Sequence, residues 1–374
     1  MKTTILLTAG GTGGHLFPAQ ALAAELGRRG YRIELLTDER ADKYGSAFPA
    51  DEVHLVDSET IRSKNPISLA KTALKLMMGT FQSIGVVRRS KGKVMVGFGG
   101  YPTFPPMFAA RLCRLPTILH EANAVLGRAN TMLARQATVV ATTFPLAGLE
   151  ASIAAKVNAT GNPLRDNVLA VCDRAYEAPE TEGPFRLLVT GGSQGARFFS
   201  DAMPLMLAQL SDDQRNRLSI VQQCRPEDLQ RVQEAYDQLG VKAELASFFT
   251  DLPERIANAH LVVARAGAGT VCELAAIGRP SILVPLPGAL DNDQGNNAKV
   301  LESVGGAAVI KQSELTPERF ASEIGSLMAS PEKLAASAAA AKTQGRPDAV
   351  SRLADLVEQV AGTASGNEEE GKSQ

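Results

Sequence analysis

The sequence predicts an α/β protein with two Rossmann-like domains, each built on a doubly wound parallel sheet. An apolar strand that ends in a glycine-rich turn occurs twice, at residues 5–15 and again at residues 187–195. Predicted strands alternate with helices through both halves of the chain, and this alternation is typical of parallel sheets. The 374 residues are too many for one ordinary hydrophobic core and suit two domains of about 150–200 residues each.

The first half contains strands predicted near residues 3–8, 31–37, 52–56, 93–97, 116–120 and 138–142. The first helix follows the first strand. Pro18 falls in its first turn and Gly30 ends it. Its apolar residues recur at helical spacing and predict one buried face, formed by Leu16, Ala19, Leu22, Ala23 and Leu26.

The second half repeats this organisation, with strands predicted near residues 185–190, 218–223, 242–247, 260–264, 280–286 and 307–310. Residues 159–163, Ala-Thr-Gly-Asn-Pro, are the predicted linker, because glycine and proline interrupt regular structure there. We therefore assign residues 1–163 to the N-terminal domain and residues 164–345 to the C-terminal domain. The polar tail over residues 363–374 is predicted to be disordered.

The composition excludes several classes of protein. The chain is 44% apolar and 21% charged and has no Trp, as is usual for soluble α/β proteins. Its four cysteines are scattered, so they indicate neither a disulfide framework nor a zinc site. No apolar run approaches the length needed to cross a bilayer, and the few apolar residues before the first glycines are too few for a signal peptide. The composition therefore predicts a cytoplasmic protein.

A basic segment lies between Glu59 and Glu121, where the chain has ten Lys or Arg and no acidic residue. Asn65 and Pro66 predict the start of a helix in this segment. One interpretation is a core helix with a solvated basic rim. The other is a helix that lies on an anionic membrane surface, inserts Leu74, Met77 and Phe81, and contacts lipid phosphates through Lys71, Lys75, Arg88 and Arg89. Nucleic acid is not an expected partner, because no aromatic stacking ladder accompanies the charges.

Glycine turns that open a helix suit the binding of phosphate, because backbone N–H groups point outward at the positive end of the helix dipole. Ligands of doubly wound sheets bind beyond the carboxyl ends of the strands, where these turns lie. Four other polar clusters follow predicted strands and belong to the same edges, at residues 97–103, 120–123, 265–273 and 291–297.

Individual residues of these clusters leave alternatives open. Thr270 and Glu273 have the spacing of a capping box, in which the glutamate only caps its own helix. The alternative is that Glu273 accepts hydrogen bonds from both hydroxyls of a ribose. Phe248 and Phe249 suit either stacking on a base or packing at a strand end, and Arg165 is either a surface cation or a partner of a diphosphate.

Single motifs of the chain also match three other enzyme classes. Residues 191–195 match the nucleophile elbow of serine hydrolases, with Ser193 as nucleophile, but His260 begins its strand and so lies at the wrong edge of the sheet. A nicotinamide-dependent dehydrogenase is disfavoured, because neither glycine turn is a true G-x-G-x-x-G. A metal-dependent sugar transferase would use Asp291 and Asp293 as a D-x-D pair.

Six motifs that run in order along the chain carry a family resemblance: residues 10–15 (GGTGGH), 99–101 (GGY), 120–123 (HEAN), 161–165 (GNPLR), 191–196 (GGSQGA) and 267–273 (GAGTVCE). Together they resemble the MurG family and span residues 8 to about 298. The resemblance implies a GT-B fold, in which two Rossmann-like domains face each other across a cleft, with a C-terminal helix near residues 346–362 that returns to the N-terminal domain. Another UDP-sugar-dependent GT-B transferase is the alternative.

The resemblance implies an inverting transfer of N-acetylglucosamine from UDP-N-acetylglucosamine to the C4 hydroxyl of the muramoyl sugar of lipid I. The product is lipid II, a precursor of peptidoglycan. His15 or Glu121 would be the catalytic base, and the residues alone do not choose between them. The acceptor would contact Gly11, Gly100 and Tyr101. The donor would contact Thr12, Gly13, Gly14, Asn123, Arg165, Ser193, Phe248, Phe249, Arg265, Ala268, Thr270, Glu273 and Gln294.

Partners and location follow from the same resemblance. UDP-N-acetylglucosamine and the undecaprenyl-linked lipid I are the expected substrates, no metal or other cofactor is required, and other cell-wall synthesis proteins are candidate partners. The enzyme would be peripheral on the cytoplasmic face of the inner membrane, with the basic segment as its contact with anionic lipid. Asn297 would lie beside the donor sugar, and a contact of Asp293 with that sugar stays open.

Overall fold

A computed structural model of the chain describes residues 2–10, 12–39, 48–59, 65–288 and 291–370. For Arg128 and for residues 193–196 and 363–370 it describes the backbone alone. The chain divides into two compact units. Unit 1 comprises Met1–Arg165 and Asp348–Gln374, and unit 2 comprises Asp166–Pro347.

Unit 1 is built on a seven-stranded parallel sheet in the order β3-β2-β1-β4-β5-β6-β7. The strands are β1 (Thr4–Thr8), β2 (Arg32–Thr37), β3 (Glu52–Leu55), β4 (Met95–Gly97), β5 (Thr117–Glu121), β6 (Val139–Thr142) and β7 (Val157–Ala159). The helices among them are α1 (Gly13–Arg28), α2 (Pro66–Ser90), α3 (Phe104–Leu112), α4 (Arg128–Gln136) and α5 (Ala151–Ala154).

Unit 2 is built on a six-stranded parallel sheet in the order β10-β9-β8-β11-β12-β13. Its strands are β8 (Phe185–Thr190), β9 (Leu218–Gln223), β10 (Lys242–Ala246), β11 (Leu261–Ala264), β12 (Ser281–Leu283) and β13 (Ala307–Val309). Its helices are α6 (Asp166–Cys172), α7 (Gly192–Leu207), α8 (Asp212–Arg217), α9 (Leu229–Gln238), α10 (Leu252–Asn258), α11 (Ala268–Ile277), α12 (Asp293–Glu302), α13 (Pro317–Met328) and α14 (Pro331–Lys342).

Both strand orders wind outward in two directions from the strand that carries a glycine turn, β1 in unit 1 and β8 in unit 2. This is the doubly wound topology of Rossmann-like domains, and it confirms the predicted fold class. The apolar face predicted for the first helix is buried in the core of unit 1. In each unit the glycine turns therefore lie at the carboxyl edge of a packed parallel sheet.

The last helix, α15 (Ala349–Glu370), completes the core of unit 1. Leu353 and Val357 are buried with α1, and Arg29, the residue that follows α1, donates to Asp355 at 2.6 Å and to Glu358 at 2.8 Å. The helix continues to Glu370, which corrects the predicted disorder of residues 363–370, because a helix nucleated by packing propagates at little further cost. Residues 371–374 lie outside the described residues.

The region predicted as a linker also differs from expectation. Ala159 ends β7, a strand that the sequence did not predict because its three residues are exposed and show no apolar alternation. Thr160 and Asn162 are buried, and the carbonyl oxygen of Gly161 accepts a hydrogen bond from Nε2 of His120 at 3.2 Å. The segment is thus part of unit 1, and the division between the units follows Arg165.

Candidate functional site

In unit 1, two glycine turns meet where the neighbouring strands β1 and β4 end. The N–H of Gly10 donates to the carbonyl of Gly99 at 3.2 Å, which joins the turns. Helix α1 follows Thr12, which has an extended backbone and makes no side-chain capping bond. A helix that begins in this way presents its first N–H groups, here those of Gly13 and Gly14, to solvent or to an anion. Gly11 lies outside the described residues.

The imidazole ring of His15 lies against this second turn. A Cβ atom at Gly99 would lie 3.2 Å from Cε1 of the ring, and one at Gly100 would lie 3.2 Å from Cδ2. Both glycines also have positive φ, 88° and 79°, so other residues would be strained there and would displace the ring. Burial lowers the pKa of His15, which the backbone carbonyl of Phe98 partly opposes. The ring therefore favours the neutral form, which a proton acceptor requires.

Glu121, at the end of β5, is buried and fully engaged by its own loop. One carboxylate oxygen accepts from the N–H of Asn123 at 2.9 Å and from its side-chain amide at 3.3 Å. The other accepts from Nδ2 of Asn130 at 2.7 Å and from the N–H of Gly127 at 3.3 Å. Burial raises the pKa of Glu121, and these hydrogen bonds oppose that shift. The carboxylate thus fastens the loop from β5 to the first turn of α4.

Asn130 connects the glutamate to the glycine turn, and no sequence motif indicates this role. Its Nδ2 atom lies 3.2 Å from the position that a Cβ at Gly99 would take, so it lies against the same turn as His15. His120 is fully buried, and burial lowers its pKa to about 4. Its bond to Gly161 gives it a structural role.

Arg165 lies beside the first turn of α1. Its guanidinium carbon is 4.0 Å from the centre of the Phe17 ring, and that ring comes within 3.1 Å of where a Cβ at Gly13 would be. The cation and the start of the helix are therefore adjacent, as a diphosphate partner requires. Tyr101, predicted to face the acceptor, is partly exposed and follows Gly100 in a 3-10 turn.

In unit 2, the helices α7 and α11 begin side by side, because β8 and β11 are adjacent parallel strands with Thr190 opposite Ala264. The residues before these helices are glycines, Gly191 and Gly267, so no side chain there caps the helix N-termini. Two adjacent helix starts of this kind suit a diphosphate. The side chain of Ser193 lies outside the described part of the structure.

The capping-box interpretation of Glu273 is wrong. Helix α11 begins at Ala268 and its N-cap residue is Gly267. Thr270 is therefore already inside the first turn, and Glu273 lies in the second turn, where it cannot cap the N-terminus. Both side chains are partly exposed. Of the two interpretations of Glu273 that the sequence left open, the contact with ribose remains as a prediction.

The first turn of α12 is fastened to the turn before α11. The side-chain oxygen of Gln294 accepts from the N–H groups of Ala266 at 3.2 Å and of Leu286 at 2.9 Å. Asn297, fully buried, donates to the carbonyl of Ala266 at 3.2 Å. These bonds hold Ala268 and Gln294 at one edge of the sheet, as the prediction of a shared sugar site requires.

Arg265 is buried and its guanidinium is bound by the protein itself. It donates to the carbonyl of Val284 at 3.0 Å and to the side-chain oxygen of Gln312 at 2.6 Å. Burial lowers its pKa to about 10. These two donors therefore point at neutral oxygens that follow β12 and β13. The expected contact of Arg265 with a diphosphate stays a prediction.

Phe248 and Phe249 follow β10 but have different surroundings. Phe248 is 58% exposed, whereas Phe249 is 8% exposed. The guanidinium of Arg255 lies 4.3 Å from the centre of the Phe249 ring. Of the two rings, Phe248 is therefore the one with a surface that can stack on a base.

Comparison with known proteins gives consistent results over both units. Residues 5–142 match the glycosyltransferase family 28 N-terminal domain, and residues 186–353 match the glycosyltransferase family 28 C-terminal domain. Two curated relatives are named UDP-N-acetylglucosamine–N-acetylmuramyl-(pentapeptide) pyrophosphoryl-undecaprenol N-acetylglucosamine transferase. The one from Nitrobacter hamburgensis is 52% identical over 96% of this chain and 98% of its own length. The one from Bradyrhizobium diazoefficiens is 54% identical with the same coverage.

This chain belongs to the MurG family of glycosyltransferases. A crystal structure of Acinetobacter baumannii MurG superposes with a TM-score of 0.76 at 28% identity, covering 96% of this chain and 99% of that one. The predicted family and its GT-B fold are thus confirmed.

The serine hydrolase alternative fails in this MurG-family chain. Nδ1 of His260 accepts from the N–H of Arg186 at 3.1 Å, at the start of β8. Ser193 follows the other end of that strand. Burial also lowers the pKa of His260 to about 4, so its role is structural.

Helix α2 carries an exposed apolar stripe. Its N-terminus is as predicted, because the side chain of Asn65 accepts from the N–H of Ile67 at 3.0 Å. Four apolar side chains at helical spacing are about half exposed or more, namely Leu74, Met77, Met78 and Phe81. The buried residues of the helix lie on the opposite face and are mostly small: Thr72, Gly79, Ser83, Val86 and Val87. The core-helix interpretation is therefore wrong for this apolar stripe.

The basic residues predicted to accompany this stripe are exposed along α2: Lys71, Lys75, Arg88 and Arg89. Lys75 pairs with Glu59 at 2.8 Å. In the described part of the chain, no helix is long and apolar enough to cross a membrane.

The sheet of unit 1 also has a cluster of potential metal ligands, at the edge opposite the glycine turns. Glu34, Glu52 and His54 place one ligand atom each within 4.8 Å of one another. Arg32 donates to both carboxylates, at 3.2 and 2.8 Å. We interpret the cluster as an ion-pair network that holds the edge strand β3 against β2. It lies away from the glycine turns.

Proposed function

We propose that this chain transfers N-acetylglucosamine from UDP-N-acetylglucosamine to the C4 hydroxyl of the N-acetylmuramyl sugar of the pyrophosphoryl-undecaprenol-linked acceptor. The observation that carries the proposal is the identity of 52–54% over 96% of the chain to relatives that are all named for this transfer. Lipid II, the product, is a precursor of peptidoglycan.

The reaction is a single displacement. The acceptor hydroxyl attacks the anomeric carbon while UDP leaves from the opposite face, so the configuration at that carbon is inverted. His15 takes the hydroxyl proton. Its ring favours the neutral form and lies at the glycine turns that bind the acceptor substrate. Glu121 is a positioning residue, because all of its hydrogen bonds described above fasten its own loop. Asn130 links Glu121 to the glycine turn against which His15 lies.

The donor nucleotide binds to unit 2. Phe248 stacks on uracil, Glu273 accepts from the ribose hydroxyls, and the starts of α7 and α11 hold the diphosphate. Ala268, Gln294 and Asn297 define the side of the donor sugar. In unit 1, Arg165 and the start of α1 supply further positive charge for a diphosphate.

The transfer requires no metal ion. Negative charge grows on UDP in the transition state, and helix N-termini together with an arginine stabilise such charge without a metal. Asp293, one half of the D-x-D pair, uses a carboxylate oxygen to accept from the N–H of Gln294 at 2.8 Å. We expect transfer to continue in EDTA. Loss of transfer in EDTA and its recovery with Mg²⁺ or Mn²⁺ would revive the D-x-D interpretation.

The enzyme works as a peripheral protein at the cytoplasmic face of the membrane. The apolar stripe of α2 inserts among the lipid headgroups and its basic residues contact anionic phosphates. An acceptor with an undecaprenyl chain stays in the bilayer, so an enzyme that modifies it gains from a membrane-binding surface of its own.

Thermal unfolding tests the donor assignment. UDP-N-acetylglucosamine at one hundred times its Kd should stabilise the protein by about 2.7 kcal/mol, and NAD and UDP-glucose at the same concentration should stabilise it much less. No shift with UDP-N-acetylglucosamine would overturn the assignment.

A further inference from the structure

Gln223 is the last residue of β9, the strand that lies between β10 and β8 in the sheet of unit 2. In the parallel register it lies opposite Ala246, the last residue of β10. On the other side Gln222 lies opposite Val189, so Gln223 is level with Thr190, the last residue of β8. Three neighbouring strands therefore end together, with Gln223 in the middle.

The side-chain amide of Gln223 bridges the ends of the two neighbouring strands. Its Oε1 atom accepts from the hydroxyl of Thr190 at 3.0 Å, and its Nε2 atom donates to the carbonyl of Ser247 at 3.2 Å. A carbonyl oxygen can only accept, so Ser247 fixes which way the amide points. Thr190 directly precedes Gly191, the N-cap residue of α7. Ser247 directly precedes Phe248.

Stability alone does not account for this bridge. Gln223 is partly exposed and Ser247 is exposed, so water can satisfy the same polar groups at little cost in free energy. The backbone ladder already joins β9 to β10 as far as the N–H of Cys224 and the carbonyl of Ala246, at 3.0 Å. The amide adds a fixed distance between the turn before α7 and the residue before Phe248.

The adjacent Gln222 makes hydrogen bonds of a different kind. It is fully buried, accepts from the hydroxyl of Tyr236 and donates to Sγ of Cys224 at 3.4 Å. Both of these partners belong to the hydrophobic core of unit 2. Successive side chains of a strand point to opposite faces of the sheet, so Gln222 serves the core and Gln223 serves the polar edge. The chain thus contains a matched control beside Gln223.

We propose that Gln223 is a positioning residue for the donor nucleotide, which holds the Phe248 ring at a set distance from the glycine turn before α7. The inference rests on the proposed function, in which Phe248 stacks on uracil and that turn binds the diphosphate. Gln223 acts through Thr190 and Ser247 and not by contact with the nucleotide. Base and diphosphate are joined by one ribose, so both can be bound at once only when their sites have the matching separation.

The test removes the amide and keeps the length of the side chain. Gln223→Met should weaken UDP binding about tenfold, which corresponds to one or two neutral hydrogen bonds. Inorganic pyrophosphate does not reach the base, so its affinity should stay within about twofold of the wild type. Calorimetry of the full-length protein measures both. The KM for UDP-N-acetylglucosamine should rise by the same factor as the Kd for UDP, with kcat at saturating donor and the acceptor KM nearly unchanged.

Four further variants test the route through which Gln223 acts. In a Phe248→Ala background, Gln223→Met should cause no further loss of UDP affinity, because the ring that it positions is gone. Thr190→Val removes the hydroxyl and should also weaken UDP binding, and Thr190→Ser, which keeps a hydroxyl, should restore it. Gln222→Met is the matched control. It should lower the melting temperature and leave UDP affinity unchanged.

The outcomes separate this inference from the proposed function. If the wild type binds UDP and Gln223→Met binds it equally well, the inference alone is overturned. A loss that persists in the Phe248→Ala background, or that extends to pyrophosphate, also overturns it, because Gln223 would then act on something other than the position of the ring. Wild-type protein that does not bind UDP would refute the proposed donor site, and the inference with it.

Discussion

At the scale of single residues, His15 and Glu121 differ in what surrounds their polar atoms. The carboxylate of Glu121 accepts four hydrogen bonds, three from the loop that follows it and one from Asn130 in the first turn of α4. His15 lies against the backbone of two glycines with positive φ. A base must have a lone pair that can reach the substrate, so the geometry favours His15 as base and Glu121 as the residue that keeps the loop in place.

We predict that His15→Ala lowers kcat by roughly 10²–10⁴, as for loss of a general base, and leaves the melting temperature nearly unchanged. In the wild type, kcat/KM should fall as the pH is lowered, because the base is active only when it is unprotonated. Because the pKa of His15 lies below 6.5, the midpoint should fall below pH 6.5. A pH series of kcat/KM measures it.

Glu121→Gln provides the matched comparison. The amide cannot accept from all of the four donors, so this variant should lose thermal stability and some kcat yet keep the acidic limb of the pH profile. If the limb instead disappears in Glu121→Gln and persists in His15→Ala, Glu121 is the base.

Glu273→Ala should raise the KM for UDP-N-acetylglucosamine about tenfold or more and leave the melting temperature within a degree or two. The reason is that Glu273 lies in the second turn of α11, so its loss removes hydrogen bonds to ribose but no helix cap. Glu302→Ala, at an exposed position in α12, is the control. A lower melting temperature with an unchanged donor KM would contradict the ribose assignment.

The two phenylalanines after β10 should respond differently to alanine. Phe248→Ala should weaken UDP binding with little effect on stability, because its ring is exposed. Phe249→Ala should cost about 3–5 kcal/mol of unfolding free energy, since it removes a buried ring. UDP titration and urea unfolding of both variants separate the effects. Equal loss of UDP affinity in the two would mean that both rings contact the nucleotide.

Sequence patterns identified most of the site residues but not their surroundings. Glycines and polar residues after strands are recognisable, and so His15, Glu121 and Glu273 were selected. Whether Phe248 or Phe249 is exposed depends on Arg255, which folds back over one ring and has no signature in the local pattern. Asn130 was missed because its partner, Glu121, is nine residues away and the pair forms only when the loop closes.

At the scale of elements, helix α2 is the part of unit 1 suited to contact lipid. Replacing Lys71, Lys75, Arg88 and Arg89 with Gln should weaken binding to anionic vesicles, by about 1 kcal/mol per charge near the surface. Turnover of lipid-embedded acceptor should fall while activity on a water-soluble acceptor is retained. Cosedimentation with vesicles at two salt concentrations measures the binding. The difference in binding between the wild type and the variant should be smaller at high salt.

A charge-matched control removes four exposed lysines of unit 2, at Lys242, Lys299, Lys311 and Lys333. It should bind vesicles like the wild type. Equal loss in both variants would show a general effect of net charge, and an unchanged α2 variant would mean that the membrane is contacted elsewhere.

The elements with strong apolar periodicity were predictable, and those set by tertiary context were not. Helix α1 has its apolar residues on one face and is buried on that face, as predicted. Helix α2 has comparable spacing, yet its apolar stripe is exposed, because small residues on its other face allow the close approach at Gly79. Periodicity identifies an apolar face but not what covers it. Strand β7 has three exposed residues and gave no pattern to detect.

At the scale of the whole molecule, the two units share the order of their first six strands and differ in chemistry. Unit 1 has the candidate base and the helix that we propose to contact lipid, and its core includes α15 from the far end of the chain. Unit 2 has the adjacent helix starts and Glu273. The repeated glycine turns in the sequence predicted the duplication, whereas the assignment of base to one unit and donor to the other depends on residues that the two turns do not share: His15 ends the first turn alone, and Glu273 lies outside both turns.

The most direct test of the account is a transfer assay with labelled UDP-N-acetylglucosamine and a lipid-linked N-acetylmuramyl-pentapeptide acceptor in the presence of EDTA. We predict release of UDP in step with a product that has a β-linked N-acetylglucosamine at C4 of the muramyl sugar, as determined from its NMR coupling constants. Folded protein that yields no product, or a product with retained α configuration, would contradict it.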